Sequence, residues 1–259
     1  DDVRQAVMAG TFSGIYDQNN DDNPIKGWTH VFVPYCTGDI HWGESEMLYE
    51  QEGVESFNLH HKGANNSRAM MYWLSQQGIV APEKIFVTGC SAGSYGSVGW
   101  APYLMQQYPA AKVVQMGDCG AGVITDSFLS DPFPVWEARK MLPEWIPALH
   151  PDTVDLSNMA LYDLYREIGN HHSDQRVSQY NTIYDSTQVT YFRYMGAGGD
   201  GDPRENWRAG MLDSMKRIAD STENFRYFIA EGEDHCILHR DSFYTVSEDG
   251  TSLVDWINS

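Results

Sequence analysis

Residues 84–96 read Lys-Ile-Phe-Val-Thr-Gly-Cys-Ser-Ala-Gly-Ser-Tyr-Gly. The run from Lys84 to Thr88 is short, apolar and rich in β-branched residues, which predicts a buried strand. The five residues centred on Ser91 then fit the pattern G-x-S-x-G. A helix is predicted from Ser94 to Tyr108, and Pro102 within it favours a kink or an irregular first turn. A strand, a sharp turn with Ser at its apex and a helix together predict a nucleophile elbow.

The residue types of this turn suit nucleophilic catalysis. The Ser91 hydroxyl has to project above the sheet, and we expect Gly89 and Gly93 to remove side chains that would collide with the neighbouring strand and helix. The following helix N-terminus adds a positive dipole where an oxyanion would form, and the backbone N–H of Ala92 is the predicted oxyanion donor. The alternative is a glycine-rich turn between strand and helix with an incidental Ser.

Length and charge narrow the class of protein. A chain of 259 residues is predicted to form a single α/β domain over residues 1–259. Its net charge of −19 argues against nucleic acid and against anionic membrane surfaces as partners. No apolar run reaches the roughly 18 residues that a membrane-spanning helix needs. The chain opens with Asp1-Asp2-Val3 and no Met, which favours a processed start and a secreted or periplasmic location.

The cysteine pattern gives no sign of a metal or redox motif. None of the four cysteines forms a C-x-x-C pair, so neither zinc nor thioredoxin-type chemistry is predicted. Buried core thiols are the default interpretation, and disulfides remain open because spacing does not assign them. We expect no cofactor and no metal. The four residues are Cys36, Cys90, Cys119 and Cys236.

Strands and helices alternate along the rest of the chain. This alternation predicts a mostly parallel sheet with helices on both faces, and together with the elbow it predicts an α/β-hydrolase-type fold. The section from 128 to 172 carries five prolines among Trp and Leu, and we interpret it as a helical cap or insertion whose clearest helix is 159–168. Residues 186–195 are ambiguous between strand and helix, and Asp185 as an N-cap favours helix. Other strands are predicted at 30–35, 112–116, 176–184 and 225–230, and other helices at 60–77 and 204–219.

The order Ser, acid, His is that of the α/β-hydrolase triad, and this chain offers it as Ser91, Asp185 and His235. All three are predicted at the carboxyl ends of strands, where open α/β sheets place their sites. Ser91 would attack an acyl carbon, His235 would transfer the proton, and Asp185 would hold the imidazole. Other acids compete with Asp185 for the role of the acid, and other histidines compete with His235 for the role of the base. The competing acids are Asp118, Asp200 and Asp202, whereas Asp39 is expected to anchor its own turn.

Several segments resemble the pectin acetylesterase and Notum family. The more specific one is Val31-Phe-Val-Pro-Tyr-Cys-Thr-Gly-Asp39, and the elbow and Gly117-Asp-Cys-Gly120 support it. Tyr184-Asp-Ser-Thr-Gln188 and Gly232-Glu-Asp-His-Cys236 are similar to the family's acid and histidine loops. The resemblance implies an α/β-hydrolase fold, removal of acyl groups from esters, and triad roles for the Ser, Asp and His already named.

The chain departs from this family at one place. Members carry a Gly- and Trp-rich segment, upstream of the matched region, that ends a strand and supplies further oxyanion donors. No such segment occurs between Asp1 and Thr29, and its absence would leave a gap in the sheet beside the elbow strand. An N-terminal fragment or a second chain would complete the sheet, or the fold has adapted and a loop such as 37–43 replaces the donor.

The sequence therefore predicts a serine carboxylesterase that hydrolyses small acyl esters, for example by O-deacetylating a polysaccharide. Its substrate would be a small-molecule or polysaccharide ester. Trp42, near Tyr35 and His41 in a loop dense in aromatic residues, is predicted to bind substrate by stacking on a sugar or lining an acyl pocket; packing under the loop is the alternative. The competing functions are a non-catalytic binding protein with a degenerate hydrolase site, and a lipase or polyester hydrolase.

Overall fold

The computed structural model describes residues 13–79, 81–156, 159–197 and 201–259. An antiparallel hairpin comes first, formed by β1 (Ser45–Gln51) and β2 (Val54–His61). Four parallel strands follow in chain order, and each pairs with the next. They are β3 (Lys84–Cys90), β4 (Lys112–Asp118), β5 (Arg176–Thr182) and β6 (Phe225–Ala230). The parallel sheet confirms the predicted fold class, and its carboxyl edge collects the loops that follow β3, β4, β5 and β6.

Helices connect these strands. The helices are α1 (Gly63–Ser75), α2 (Ala92–Gln107), α3 (Asp126–Ser130), α4 (Pro132–Val135), α5 (Leu161–His171), α6 (Ser186–Tyr194), α7 (Pro203–Ser221) and α8 (Leu253–Asn258). Two short strands, β7 (Ser247–Glu248) and β8 (Thr251–Ser252), precede α8. The ambiguous stretch 186–195 is helical, as predicted, because the Asp185 side chain caps it by accepting from the backbone N–H of Thr187 and Gln188.

Two hydrophobic cores lie on opposite faces of the sheet, because alternate strand residues point to opposite sides. Val113 and Val177 face one core, with α2, α5 and α7. Met116 and Tyr180 face the other, which is covered by α8 and the segment around Phe243. Helices therefore cover both faces of the sheet, as the alternation predicted.

The edge of the sheet at β3 is open among the described residues. β3 pairs with β4 alone, and all of its residues are at least partly exposed, so the predicted strand exists but is not fully buried. The strand predicted at 30–35 is wrong: these residues form no regular element, and Phe32 is 51% exposed. A strand needs a hydrogen-bonding neighbour, and the described residues provide none for this apolar segment.

The section from 128 to 172 contains short helices, as its prolines suggested. The turns at Ala138–Met141 and Pro147–Leu149 are 3₁₀ helices, and Leu142 and Leu149 are buried in the core that contains α2. Its longest helix, α5, connects β4 to β5 and contacts α2, α7 and β5, so it serves as a crossover helix of the sheet. The assignment of this section as a cap on a single domain stays a prediction.

In the part of the chain that the structure describes, no helix is both long enough and apolar enough to cross a bilayer.

The turn between β3 and α2 has the backbone of a nucleophile elbow. Ser91 has φ 56° and ψ −116°, which places a non-glycine residue in the left-handed half of conformational space. A Cβ atom on Gly89 would lie 2.4 Å from the carbonyl oxygen of Gly93, so residue 89 must be glycine for the turn to close. A Cβ on Gly93 would meet no described atom within 4 Å, so the collision expected at Gly93 is absent.

We therefore predict opposite outcomes for two Gly→Ala substitutions four residues apart. Gly89→Ala forces backbone to move and should lower the free energy of unfolding by about 1–3 kcal/mol. Gly93→Ala, in the first turn of α2, should change it by no more than about 0.5–1 kcal/mol, in the stabilising direction. Urea denaturation of both variants measures the difference; equal losses would contradict the close packing of the elbow.

Candidate active site

A carboxylate and an imidazole are paired at the carboxyl edge of the sheet. Asp185 follows β5 and is fully buried, and its two oxygens lie 3.0 and 2.8 Å from Nδ1 of His235. His235 lies in the loop after β6, which is called the histidine loop below. The same carboxylate accepts from the backbone N–H of Thr187 and Gln188, so the cap of α6 also fixes the acid. The structure thus brings together the predicted acid and the predicted base.

This pairing determines which imidazole nitrogen is available. A carboxylate only accepts, so in the neutral imidazole Nδ1 carries the proton and Nε2 keeps a lone pair. Nε2 of His235 is buried and has no hydrogen-bond partner among the described residues, so the Ser91 hydroxyl is not bonded to it. Hydrogen bonds between a nucleophile and its base are often long in structures without substrate. The arrangement leaves a basic nitrogen with its hydrogen-bonding capacity unused.

A disulfide joins the elbow to the histidine loop. Cys90, which precedes Ser91, is bonded to Cys236, which follows His235, and their Cα atoms are 5.6 Å apart. One ring nitrogen of His235 and the two disulfide sulfurs all lie within 4.8 Å of one another. The bond therefore holds the predicted nucleophile and base in neighbouring positions. The sequence signal was available, since each cysteine adjoins one predicted catalytic residue.

The remaining cysteines are free. Cys36 is exposed, and Cys119 is buried next to the disulfide, where its sulfur accepts from the backbone N–H of Cys236. Burial raises the pKa of the Cys119 thiol well above its ordinary value, and the carboxylates of Asp118 and Asp185 raise it further. The thiol is therefore protonated at neutral pH and is a poor nucleophile, which leaves Ser91 without a competitor from this position.

The other acids have structural contacts. Asp118 accepts from the backbone of the histidine loop, and Asp202 caps α7 by accepting from the N–H of Arg204. Asp39 accepts from the Thr37 hydroxyl and two backbone N–H groups, so it anchors its own loop as expected. Asp200 lies outside the described residues. Of the acids considered, Asp185 is the one hydrogen-bonded to His235 Nδ1.

Gln188 is a site residue that sequence reasoning did not single out for a role. Its side-chain NH₂ donates to Asp185 Oδ2 at 3.0 Å and to Asn181, and its oxygen accepts from the backbone N–H of Ala121. It therefore links the acid to the loop after β4. A helical glutamine three residues after an N-cap acid was the available signal, because i and i+3 share one helix end.

The predicted substrate contact at Trp42 is corrected by the structure. The indole is 1% exposed, lies against Phe133 in the core, and donates to the carbonyl of Tyr95 in α2. His41 is also buried, and burial lowers its pKa. Packing under the loop, the alternative weighed for these residues, describes both. Tyr35 remains exposed and packs against the His41 ring.

Ala92 begins α2 directly after Ser91, so its backbone N–H belongs to the first helical turn and has no acceptor within the helix. This position agrees with the predicted oxyanion donor.

Among the described residues, three groups of Cys, His and Asp side chains at this edge lie close enough together to be considered as metal ligands. Two of these groups include sulfurs of the disulfide, which do not offer thiolate ligands.

Comparison with known proteins supports this description. The family model for pectinacetylesterase matches residues 4–128, just under half of the chain. Two crystal forms of the Wnt deacylase Notum from Drosophila share its fold. Their TM-scores are 0.67 and 0.66 at 18% and 19% sequence identity. The alignments cover 95% of this chain and 71% and 72% of the Notum chains.

The structural similarity establishes the fold, and the family match supports an esterase that acts on acyl groups. The resemblance read from the sequence is thereby confirmed: the chain has an α/β-hydrolase fold, and its residues 4–128 match the family model for pectinacetylesterase.

Proposed function

We propose that this chain is a serine carboxylesterase that removes small acyl groups through an acyl-enzyme on Ser91. The observation that carries the proposal is the hydrogen-bonded pair of buried Asp185 and half-buried His235, joined by a disulfide to the elbow that bears Ser91. A Ser on a strained strand-to-helix turn beside a histidine with an unoccupied Nε2 is the arrangement that acyl transfer requires.

The proposed reaction has two half-reactions. Ser91 Oγ attacks the acyl carbonyl while His235 Nε2 takes its proton, and the tetrahedral intermediate is stabilised by the Ala92 N–H. The imidazolium, held by Asp185, returns the proton to the leaving alkoxide, and an alcohol departs. Water then attacks the acyl-enzyme with His235 again as base, which releases the carboxylic acid and restores the Ser91 hydroxyl.

The charge near the site favours a neutral ester over a polyanionic one. Three exposed acids, Glu231, Glu233 and Asp234, come directly before His235 in a chain of net charge −19. Arg204 pairs with Glu233, and Arg240 approaches Asp234 at 3.7 Å, so part of the charge is offset. A polyuronate would still be repelled at long range, and salt would weaken that repulsion. We propose an acetylated neutral polysaccharide as the natural substrate class.

The second oxyanion donor is proposed to come from a strand added at the β3 edge. A single backbone N–H is a weak stabiliser, since loss of one donor typically costs about 10²–10³ in kcat. The described residues leave that edge of β3 unpaired, and Val31 and Phe32 are exposed in a segment without regular secondary structure. An N-terminal fragment or a second chain, paired with β3, would cover this surface and place a donor above Ser91.

A secreted or periplasmic location is also proposed. The support is the disulfide between Cys90 and Cys236, because such bonds persist in oxidising compartments and are rare in the cytosol.

The first test of the function is Ser91→Ala. Because the alanine offers no nucleophile, kcat for p-nitrophenyl acetate should fall by about 10⁴-fold or more. Ser130→Ala, on an exposed residue of α3, is the matched control and should keep its turnover. A fluorophosphonate probe should also label the native protein at Ser91. Unlabelled native protein would favour the binding-protein alternative, and preference for long-chain or polymeric esters would favour the lipase alternative.

The second test compares substrates of different charge. At low salt, kcat/KM on an acetylated neutral xylan should exceed that on an acetylated polygalacturonate by about tenfold or more. Added NaCl should raise the value for the acidic polymer alone, because screening acts on charged pairs. Hydrolysis of p-nitrophenyl acetate over the same salt series controls for effects on the enzyme. A preference for the acidic polymer at low salt would contradict this assignment.

The third test concerns the added strand. Intact mass spectrometry of the active protein from its source should show a longer polypeptide or an associated fragment. Residues 1–259 expressed alone should then have lower kcat, by about 10²–10³ if one oxyanion donor is lost. A single species with the mass of residues 1–259 and full esterase activity would rule the added strand out.

A further inference from the structure

We infer that Asp118 is a positioning residue for His235. The Asp118 carboxylate holds the histidine loop in register with the elbow. The inference rests on the proposed function and adds to it a role for a buried acid that the triad does not use. The evidence is that Asp118 is hydrogen-bonded both to the histidine loop and to the elbow.

The carboxylate of Asp118 contacts the histidine loop from inside the protein. The residue is fully buried at the end of β4. Oδ2 accepts from the backbone N–H of Ile237 at 2.9 Å and of Leu238 at 3.0 Å, and Oδ1 lies 3.2 Å from the same N–H of Ile237. These amides follow His235 by two and three residues. Two charge-assisted hydrogen bonds therefore fix the chain direction just after the base.

The main chain of Asp118 contacts the elbow. Its carbonyl oxygen accepts from the backbone N–H of Ser91 at 2.8 Å, and the Cys236 sulfur lies 3.8 Å from that same oxygen. Asp118 therefore joins the two segments that the Cys90–Cys236 disulfide also joins. The disulfide limits their separation, whereas the carboxylate sets the orientation of the loop backbone. Cys236 has φ 62°, so this loop adopts a turn that needs such support.

The groups around the Asp118 carboxyl make its charge state responsive to pH. Burial raises its pKa to about 6, and the N–H groups of Leu238 and Ile237, the Cys119 thiol and His235 counteract part of that rise. Tyr16, which packs against the core that contains Met116, also interacts with it electrostatically. Above this pH both backbone donors face a carboxylate. Below it one oxygen is protonated, and the clamp on Ile237 and Leu238 weakens.

The direction of the stability effect is opposite to that of the activity effect. Since the folded-state pKa is raised, the proton binds the folded state more tightly, and its stabilising contribution is lost as pH rises through about 6. Activity should instead increase over this range, because the charged carboxylate positions the loop. This opposition separates a positioning role from a purely structural one.

The native protein gives the first test. Amide ¹H–¹⁵N signals of Ile237 and Leu238 should titrate with a midpoint near the Asp118 value, and their protection from hydrogen exchange should fall on the acidic side after correction for intrinsic rates. Amides of Met211 and Met215, buried in the core on the opposite face of the sheet, are the control and should not shift over this range. Flat shifts at Ile237 and Leu238 from pH 5 to 8 would overturn the inference.

The variant Asp118→Asn gives the second test. A carboxamide presents one accepting oxygen and no charge, so kcat should fall by about 10²-fold, the order expected from a 1 Å misplacement, with KM nearly unchanged. The acid limb of log kcat/KM should reach a slope near two in the native enzyme and near one in the variant. Asp39→Asn should lower thermal stability without changing that slope.

These outcomes are separable from failure of the function itself. If Ser91→Ala loses activity while Asp118→Asn keeps the native kcat and acid limb, the clamp is wrong and the esterase stands. If Ser91→Ala remains active, the function fails. Should Asp118→Asn not fold, the amide titration of the native protein still decides the matter.

Discussion

The junction between the elbow and the histidine loop is the constraint on which the site depends. Ser91 and His235 lie 144 positions apart in the chain, yet a covalent bond between their neighbours and a buried carboxylate at the end of β4 hold their loops together. Neither loop is regular secondary structure. These two restraints, added to the sheet that carries all of these loops, fix the Asp185–His235 pair relative to Ser91, because the cap of α6 positions the acid alone.

The elbow and the histidine loop can meet because the strands that carry them are parallel. Each of the loops after β3, β4, β5 and β6 emerges at the same edge, so the elbow, Asp118, Asp185 and His235 meet there without long connections. The N-termini of two helices also lie at this edge. Ala92 begins α2 directly after Ser91, and Asp185 caps α6 while it binds the His235 imidazole. One sheet edge therefore carries the proposed nucleophile, base and acid and one proposed oxyanion donor.

Local patterns predicted what depends on local causes. The glycines around Ser91, the apolar runs of β4 and β6, and the N-cap at Asp185 are read from neighbouring residues. The strand expected at 30–35 failed because strand formation depends on a partner, which apolar alternation does not report. Trp42 was misjudged for a related reason, since its burial depends on residues from α2 and α4 that are distant in the chain. The Cys90–Cys236 bond and the contacts of Asp118 and Gln188 are tertiary, and spacing alone did not determine them.

The most direct measurement of the central claim is the identity of the atom that carries the acyl group during turnover. Rapid acid quenching of the protein with p-nitrophenyl acetate, followed by peptide mass spectrometry, captures that intermediate. The account predicts an acetyl group on Ser91 that appears within the first turnover and disappears as the ester is consumed. Acetylation at Cys36 or Cys119, or turnover with no acylated residue, would contradict it.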